Sequence, residues 1–270
     1  MNEAGQGARD NGTGVRRRDG RRRVLAVAGA AVAAGAVAAV LLAASGSGAP
    51  SALAAVTGAL AKTSARSYSF SLGSTVRVGG HDVSSDMVTG AISPGQDLGT
   101  ELVATRVAHR PVTAQIRFIG RYEYTRVSPW YGLGTLGKPW DKAAVPSAGT
   151  SQTLGSYGFV SDQAVSPAEL SGLLRYAATV RDAGPASGPG WIGTRYTFVA
   201  RLSGGQGSVS GTVYVDRQGQ VRRLVTITSQ GRVTTDRVLA FGDYGAPVPV
   251  TAPSASQAKY TSKPYWGFFF

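Results

Sequence analysis

The sequence predicts an α+β protein whose core is one strongly curved antiparallel β-sheet. We expect about ten strands, with helices packed against one face of the sheet and one transmembrane helix at the N terminus. Three observations predict this class. An uncharged apolar run lies near the N terminus, apolar and polar residues alternate through most of the remaining chain, and only two later segments show helical spacing. Alternating strands of this kind are typical of antiparallel sheets that cover one face.

The apolar run predicts a membrane anchor. Residues 24–44 carry no charge, and six arginines lie between positions 16 and 23. As a helix rising about 1.5 Å per residue, the run is about 31 Å long, close to the hydrocarbon thickness of a bilayer. The positive flank favours a cytoplasmic N terminus and an extracytoplasmic main domain, so we expect a single-pass protein of the cell membrane. A cleaved secretory signal has the same charge asymmetry, and cleavage therefore stays open.

Composition divides the chain into five parts. Residues 1–23 are rich in Gly, Asn and Arg and predict a disordered, basic cytoplasmic tail. The anchor at 24–44 precedes a short flexible linker at 45–50. The extracytoplasmic domain spans residues 51–253, and an aromatic C-terminal tail occupies 254–270.

The domain opens with a helix and continues with strands. Ser51 is the expected N-cap, and the helix runs to about Ser64. Its predicted apolar face contains Leu53, Val56, Leu60 and Ala61. The period then changes to two. The predicted strands cover residues 68–78, 83–93, 101–108, 112–119, 121–127, 178–182, 193–202, 208–216, 221–228 and 232–241.

Two intervals between these strands are predicted to have other structures, a long loop and a helix. Residues 129–158 are rich in Gly, Ser and Pro and predict a long loop. A second helix is expected to open at Ser166, with Pro167 in its first turn and Glu169 completing a capping box. Its predicted apolar stripe contains Leu170, Leu173, Leu174 and Ala177. Residues 216–219 read as a tight hairpin turn between two alternating runs.

Composition also narrows the classes of function. The net charge is +13, and the exported part contributes +9 of it, from 21 basic and 12 acidic residues. These bases are scattered singly along strands, which favours solvated strand faces and no nucleic-acid partner. The absence of cysteine excludes disulfides, thiol catalysis and a lipid-accepting cysteine.

We predict no enzyme activity. The two histidines, His81 and His109, lack the spacing of a metal or catalytic motif. Asp82 and Asp86 lie near His81 and are expected in a solvated turn. No nucleophile elbow, phosphate loop or dinucleotide fingerprint follows a strand. The sequence therefore predicts no catalytic residue, no metal and no cofactor.

Three local sequences give the chain a family resemblance. They are Ser-Tyr-Ser-Phe at 67–70, Gly-Lys-Pro-Trp at 137–140 and Val-Tyr-Val-Asp-x-x-Gly-x-Val-Arg-Arg-Leu at 213–224. With the order of elements, they resemble the LolA-like superfamily, especially the actinobacterial LppX/LprG-type lipoproteins. The resemblance covers roughly residues 51–253. It implies a half-barrel with helices on its concave face, which can form an apolar cavity for acyl chains. It also implies proteins that carry lipids or lipoproteins across the cell envelope. This chain departs from the lipoproteins because it has no cysteine to accept a lipid.

The expected cavity lining consists of apolar residues on the alternating strands. These are Phe70, Leu72, Ile116, Phe118, Tyr196, Phe198, Val213 and Val215. The leading hypothesis is that they hold a lipid, a glycolipid or a lipidated partner. The same residues would also fill a closed core without a ligand, because a one-sided apolar sheet has the same sequence pattern in both cases. In that alternative, the domain is a protein-interaction or envelope-stress sensor module that contacts another envelope protein.

The last eleven residues contain six aromatic side chains. Those expected at a membrane interface are Tyr265, Trp266, Phe268, Phe269 and Phe270. Trp and Tyr favour the headgroup region, and the interspersed lysines would meet anionic headgroups. The tail predicts a contact with the cytoplasmic membrane, or else a plug for the domain's own groove.

Overall fold

A computed structural model describes residues 51–107, 110–128, 137–144, 167–174, 177–201 and 207–261. Within these ranges, twelve strands form one open, curved sheet. The strands are β1 Tyr68–Val78, β2 His81–Ser93, β3 Leu98–Val107, β4 Arg110–Ile119, β5 Tyr122–Ser128, β6 Trp140–Ala144, β7 Ala177–Gly188, β8 Trp191–Arg201, β9 Ser208–Asp216, β10 Val221–Gln230, β11 Val233–Gly242 and β12 Ala258–Tyr260. All ten predicted strands are present.

The strand order across the sheet is β12-β6-β5-β4-β3-β2-β1-β11-β10-β9-β8-β7. Neighbouring strands pair antiparallel, except that β12 pairs parallel with β6. The pairing of β1 with β11 joins the first hairpins to the last ones, with Leu72 opposite Leu239. The sheet is therefore built from two runs of consecutive antiparallel strands that meet at β1 and β11.

Two strands were not predicted from the sequence. Residues 140–144 fall in the interval predicted as a long loop, but they form β6 at the edge of the first run. β12 has only three residues and lies in the part predicted as a tail. Both strands are short, so an alternating pattern has too few positions to register, and tertiary pairing decides their structure.

The first helix, α1 Ala52–Ser64, begins as predicted. The Ser51 hydroxyl accepts a hydrogen bond from the Ala54 N–H at 3.2 Å. Its buried face differs in part from the prediction, because Leu53 and Ala61 are exposed. The side chains that α1 buries are Val56, Ala59, Leu60 and Thr63. Thr63 belongs there because its hydroxyl accepts the N–H of Val221 at 3.1 Å, a buried backbone donor that an alanine would leave without this partner.

The second helix, α2 Pro167–Leu174, buries Leu170 and Leu174. The predicted cap Ser166 lies outside the described residues. A short 3-10 helix, Pro94–Gln96, occupies the turn between β2 and β3. α1 contacts α2 and lies against β7, β9 and β10, and α2 contacts β8. We call the face of the sheet that these helices cover the inner face.

The described residues between 51 and 261 form one compact unit. The predicted tail at 1–23 and the anchor at 24–44 lie outside the described residues, as do residues 262–270. Within the described ranges, no helix is both long and apolar enough to cross a membrane.

A C-terminal strap, residues 243–257, connects β11 to β12. Near its start lies Gly245, whose N–H donates to the Ser67 carbonyl at 2.9 Å. The Arg117 guanidinium then donates to the Thr251 carbonyl at 2.8 Å, and the Lys138 ammonium donates to the Ala255 carbonyl at 2.8 Å. These contacts lead the chain from the centre of the sheet to its β6 edge.

Candidate functional site

The residues predicted as a lining lie together on the inner face. Seven of the eight are buried in a single apolar cluster with the inner side of α1 and α2, and Tyr196 is partly buried against it. The seven are Phe70, Leu72, Ile116, Phe118, Phe198, Val213 and Val215. The cluster extends over both runs of strands, from Ile116 on β4 to Phe198 on β8. The inner face thus carries one continuous apolar surface that extends over both runs of strands.

Three phenylalanine rings of this surface lie over glycines of the adjacent strand. Phe70 pairs with Gly90, Phe118 with Gly99 and Phe198 with Gly211. A Cβ atom at Gly90 would come within 2.8 Å of the far edge of the Phe70 ring, and one at Gly99 within 3.2 Å of the Phe118 ring. The rings therefore lie along the sheet and cover the glycine backbone, an arrangement known to protect glycines in strands. They occupy the floor of the curved sheet.

A band of buried polar side chains crosses the inner face beside the apolar surface. Ser74 lies in register with Asp86 on one side and with Arg237 on the other, and Arg237 pairs in turn with Thr226. The carboxylate of Asp86 accepts hydrogen bonds from Thr105 and from Ser84. The expectation that Asp86 belongs to a solvated turn was wrong, because its position in β2 directs it into the interior, where hydroxyl donors satisfy it.

A second polar group consists of three buried carboxyl groups on β3, β5 and β6. Glu101, Glu123 and Asp141 have relative exposures of 8%, 2% and 8%. Thr125 donates to Glu123 at 2.8 Å, whereas Oε1 of Glu101 has no hydrogen-bond partner. Burial, and then the neighbouring Glu123, raise the pKa of Glu101 to about 8. Burial also raises the pKa of Asp141, against the opposing effect of Lys259.

Sequence reasoning missed these carboxyl groups, although a signal was present. Glu101 has the same parity as Val103 within β3, and the two residues share the inner face. In an alternating strand, a glutamate at an inward position is a departure from the apolar pattern. Such a departure marks a buried charge that needs a physical explanation.

The edge of the sheet at β5 and β6 carries basic and aromatic side chains on its outer face. The Arg117 guanidinium lies 4.5 Å from the centre of the Trp140 ring, and the Lys142 ammonium lies 3.8 Å from the centre of the Tyr122 ring. Trp140 is buried within β6, so it packs at the sheet edge. The strap ends at this edge, and the described part of the chain ends there at Thr261.

A groove of about 370 Å³ lies elsewhere, on the outer side of the sheet. Its lining includes Gly73, Met87, Ala104 and Val238. These positions alternate with the inner residues of the same strands, so this part of the lining belongs to the outer face. Ser74 and Asp86 of the polar band also border the groove. Met87 and Val238 are both exposed there.

The positions of the two histidines and of the metal-ligating side chains bear on catalysis. Among the described residues, no group of three or more metal-ligating side chains is placed to hold an ion. His81 begins β2, where its neighbour Asp82 pairs with Arg77 at 2.7 Å. His109 and the predicted tail site at 265–270 lie outside the described residues. The notable chemistry of the site is therefore apolar burial together with carboxyl groups inside it.

The chain is similar to several solved bacterial proteins. LprF from Mycobacterium bovis is 14% identical, with 77% of this chain and 100% of that chain covered and a TM-score of 0.46. The lipoprotein LppX of Mycobacterium tuberculosis is 14% identical, with coverages of 74% and 98% and a TM-score of 0.47. A LolA superfamily protein from Nitrosomonas europaea is 11% identical, with coverages of 78% and 99% and a TM-score of 0.29.

The sequence resembles the LolA-like superfamily and the LppX/LprG-type lipoproteins, and the solved structures to which the chain is similar include LppX and a LolA superfamily protein. At these identities the similarity concerns the fold alone. No family model matches the sequence, and no curated protein matches it either.

Proposed function

We propose that the protein binds the acyl chains of a lipid or lipidated partner on its inner face, in the cell envelope. The observation that supports this proposal most directly is the continuous apolar surface across both runs of strands. Its phenylalanine rings lie over glycines, so their bulk lies along the sheet. In this proposal a flexible acyl chain lies against these rings. Burying an acyl chain on such a surface stabilises the complex by about 0.8 kcal/mol for each methylene group.

Native mass spectrometry of the full-length chain, extracted in mild detergent, tests this proposal. We expect a stoichiometric adduct with the mass of an acyl lipid. Ala114 lies on the inner face between Val103 and Val127, whereas its neighbour Thr113 is exposed on the outer face. An Ala114→Phe substitution should reduce the adduct by filling the space over the floor, and the matched Thr113→Phe should leave it unchanged. A wild-type chain that carries no lipid would contradict the proposal.

The anchor and the aromatic tail would hold this domain at the membrane. In this proposal, residues 24–44 span the cytoplasmic membrane and residues 262–270 touch its outer surface. The described end of the chain supports the second contact, because Tyr260 is exposed and Lys142, Lys259 and Tyr122 lie at the same edge. Aromatic and basic side chains together are typical of surfaces that meet anionic headgroups.

Quenching by brominated lipid tests the tail. In liposomes that contain phosphatidylglycerol, part of the tryptophan fluorescence of the full-length chain should be quenched by brominated acyl chains. Trp266→Phe should remove that quenched part, whereas Trp191→Phe, which alters the hairpin between β7 and β8, should retain it. Equal quenching of the two variants would contradict insertion of the tail.

The groove on the outer face favours a second candidate function, a contact with another envelope protein. Met87 and Val238 expose apolar surface there without helix cover in the described structure. A photoreactive amino acid at Met87 should then cross-link to one defined protein in intact cells. The same label at exposed Gln115, on β4, is the control. Cross-linking that is absent or identical at both positions would argue against this function.

A further inference from the structure

The carboxyl of Glu101 stands within the apolar floor of the inner face. In register, Glu101 lies between Gly90 on β2 and Ile116 on β4, so its side chain leaves the sheet on the same side as Phe70. Gly90 contributes no side chain, and the Phe70 ring covers the glycine backbone. The immediate strand neighbours of Glu101 are therefore apolar.

Glu101 has no hydrogen-bond partner for Oε1 although more than nine-tenths of its surface is buried. A buried polar group without a partner costs about 1–3 kcal/mol, so its retention at an inward position calls for a role. Asp86, by comparison, has two hydroxyl donors on the same face.

The acidic side chains that share the inner face disfavour an anion near Glu101. Glu123 and Asp141 lie on β5 and β6, and Asp86 lies on β2. Arg237, on β11, is the basic group of the polar band. Burial and Glu123 raise the pKa of Glu101 to about 8, so the carboxyl is mostly protonated at neutral pH and has an O–H to donate.

We propose that the Glu101 carboxyl donates a hydrogen bond to the carbonyl oxygen of an ester-linked acyl chain of a glyceride, and thereby selects uncharged glycerides over anionic lipids. The proposal rests on acyl binding at the inner face and specifies its ligand chemistry. An ester carbonyl accepts this bond, and a glyceride without a charged headgroup meets no repulsion from the surrounding carboxyl groups. A phosphate or free carboxylate in the same position would be repelled by them.

Competition between two lipids with identical acyl chains tests the proposal. The full-length chain in mild detergent is mixed with equal amounts of dioleoylglycerol and dioleoylphosphatidic acid, and the adducts are measured by native mass spectrometry at pH 6 and pH 9. We expect the wild type to bind mainly dioleoylglycerol at pH 6, and to bind roughly three- to tenfold less of it at pH 9, where the Glu101 carboxylate has no O–H to donate. Dioleoylphosphatidic acid should bind poorly at both pH values, because the carboxyl groups repel its phosphate.

Three variants distinguish the effect of the Glu101 carboxyl on lipid binding from general effects of pH and of substitution. Glu101→Gln retains an N–H donor that does not titrate, so its adduct should stay high at both pH values. Glu101→Leu removes the donor and should weaken dioleoylglycerol binding at pH 6 by roughly three- to tenfold, the effect of one hydrogen bond. Asp97→Asn changes an exposed carboxylate in the turn before β3 and should behave as the wild type.

The outcomes that would overturn the inference are distinct from failure of acyl binding itself. Dioleoylglycerol binding that is equal in wild type and Glu101→Leu, or wild-type dioleoylglycerol binding that is as insensitive to pH as in Glu101→Gln, overturns the role of Glu101 while acyl binding stands. A wild-type chain that binds neither lipid overturns the proposed function, and the inference with it. If Glu101→Leu fails to fold, the pH comparison between wild type and Glu101→Gln decides alone.

Discussion

At the scale of the residue, the packing of the inner face depends on glycines as well as on large apolar side chains. Gly90, Gly99 and Gly211 each lie opposite a phenylalanine of the apolar surface. A side chain at these positions would meet the ring or the backbone of the next strand. Glycine normally weakens a strand, because it adds conformational entropy to the unfolded chain. Its presence here is explained by the space that the rings need.

Gly90→Ala should therefore destabilise the protein. The added Cβ would lie 2.8 Å from the Phe70 ring and close to the Thr100 carbonyl, so the ring or the strand must shift. Overpacking of this kind costs about 1–3 kcal/mol. Urea unfolding measures the change. Gly58→Ala is the matched control, because Gly58 lies within α1 with open space around it, and alanine there should stabilise the helix by about 0.5–1 kcal/mol. A neutral Gly90→Ala would show that the ring moves without cost.

At the scale of the element, the sequence alone predicts strands that have a long alternating pattern and end in turns with characteristic turn residues. The turn at 216–219 is an example. Gly219 has a φ of 74°, its N–H donates to the Asp216 carbonyl at 2.9 Å, and the Asp216 carboxylate accepts the Gln220 N–H at 2.8 Å. Glycine and aspartate fulfil those roles by their own geometry, and sequence reasoning can recognise them.

Sequence reasoning does not predict strands that form only by pairing with residues distant in the chain. β6 and β12 become strands because they pair with each other, and β6 also with β5, at the sheet edge. Their own residues carry too few alternations to indicate this. The same limit applies to the site, since strand parity placed Phe70 and Phe198 on one face but could not show that Phe70 would lie over Gly90 beside Glu101.

The pairing of β12 with β6 leads to a prediction about local stability. The Thr261 N–H donates to the Lys142 carbonyl at 2.8 Å, just beyond the last residue of β12. Thr261→Pro removes this donor, and we expect local opening of β12 to become easier by about 1 kcal/mol, or roughly fivefold in amide exchange. Thr261→Val retains the N–H and serves as control. Hydrogen exchange read by mass spectrometry would contradict the prediction if both variants exchanged at the wild-type rate.

At the scale of the whole molecule, buried carboxyl groups make stability depend on pH. The pKa of Glu101 is about 8 in the folded chain and near its ordinary value of 4.5 in the unfolded chain. Between these values the folded chain holds a proton that the unfolded chain has released. The free energy of unfolding therefore falls as pH rises through this window, and for this group it stops falling above about pH 8.

Glu101→Gln should remove that dependence. Its free energy of unfolding relative to wild type should increase from pH 4.5 to pH 8 and level off, with a total rise on the order of 4 kcal/mol. The raised pKa of Asp141 acts in the same direction in both proteins and cancels in the difference. Urea titrations at several pH values measure it, with Asp97→Asn as control. A difference that does not vary with pH would place Glu101 in a more solvated environment.

The orientation of the whole chain rests on the contrast between its first 44 residues and the domain after them. Six arginines precede an uncharged run that is long enough for a bilayer. In the domain, by contrast, the apolar residues alternate with polar ones along the strands of one sheet. We predict that the full-length chain stays with the membrane after an alkaline carbonate wash, and that protease added outside intact spheroplasts digests residues beyond 50.

Ala33→Arg together with Ala38→Arg should release the chain from the membrane, because each charge at the centre of a span costs about 2.5–3.5 kcal/mol. Ser45→Arg with Ser47→Arg, in the linker, adds the same charge outside the run and should leave the chain in the membrane. Release of both double variants would indicate that charge in general, and not a span, governs retention.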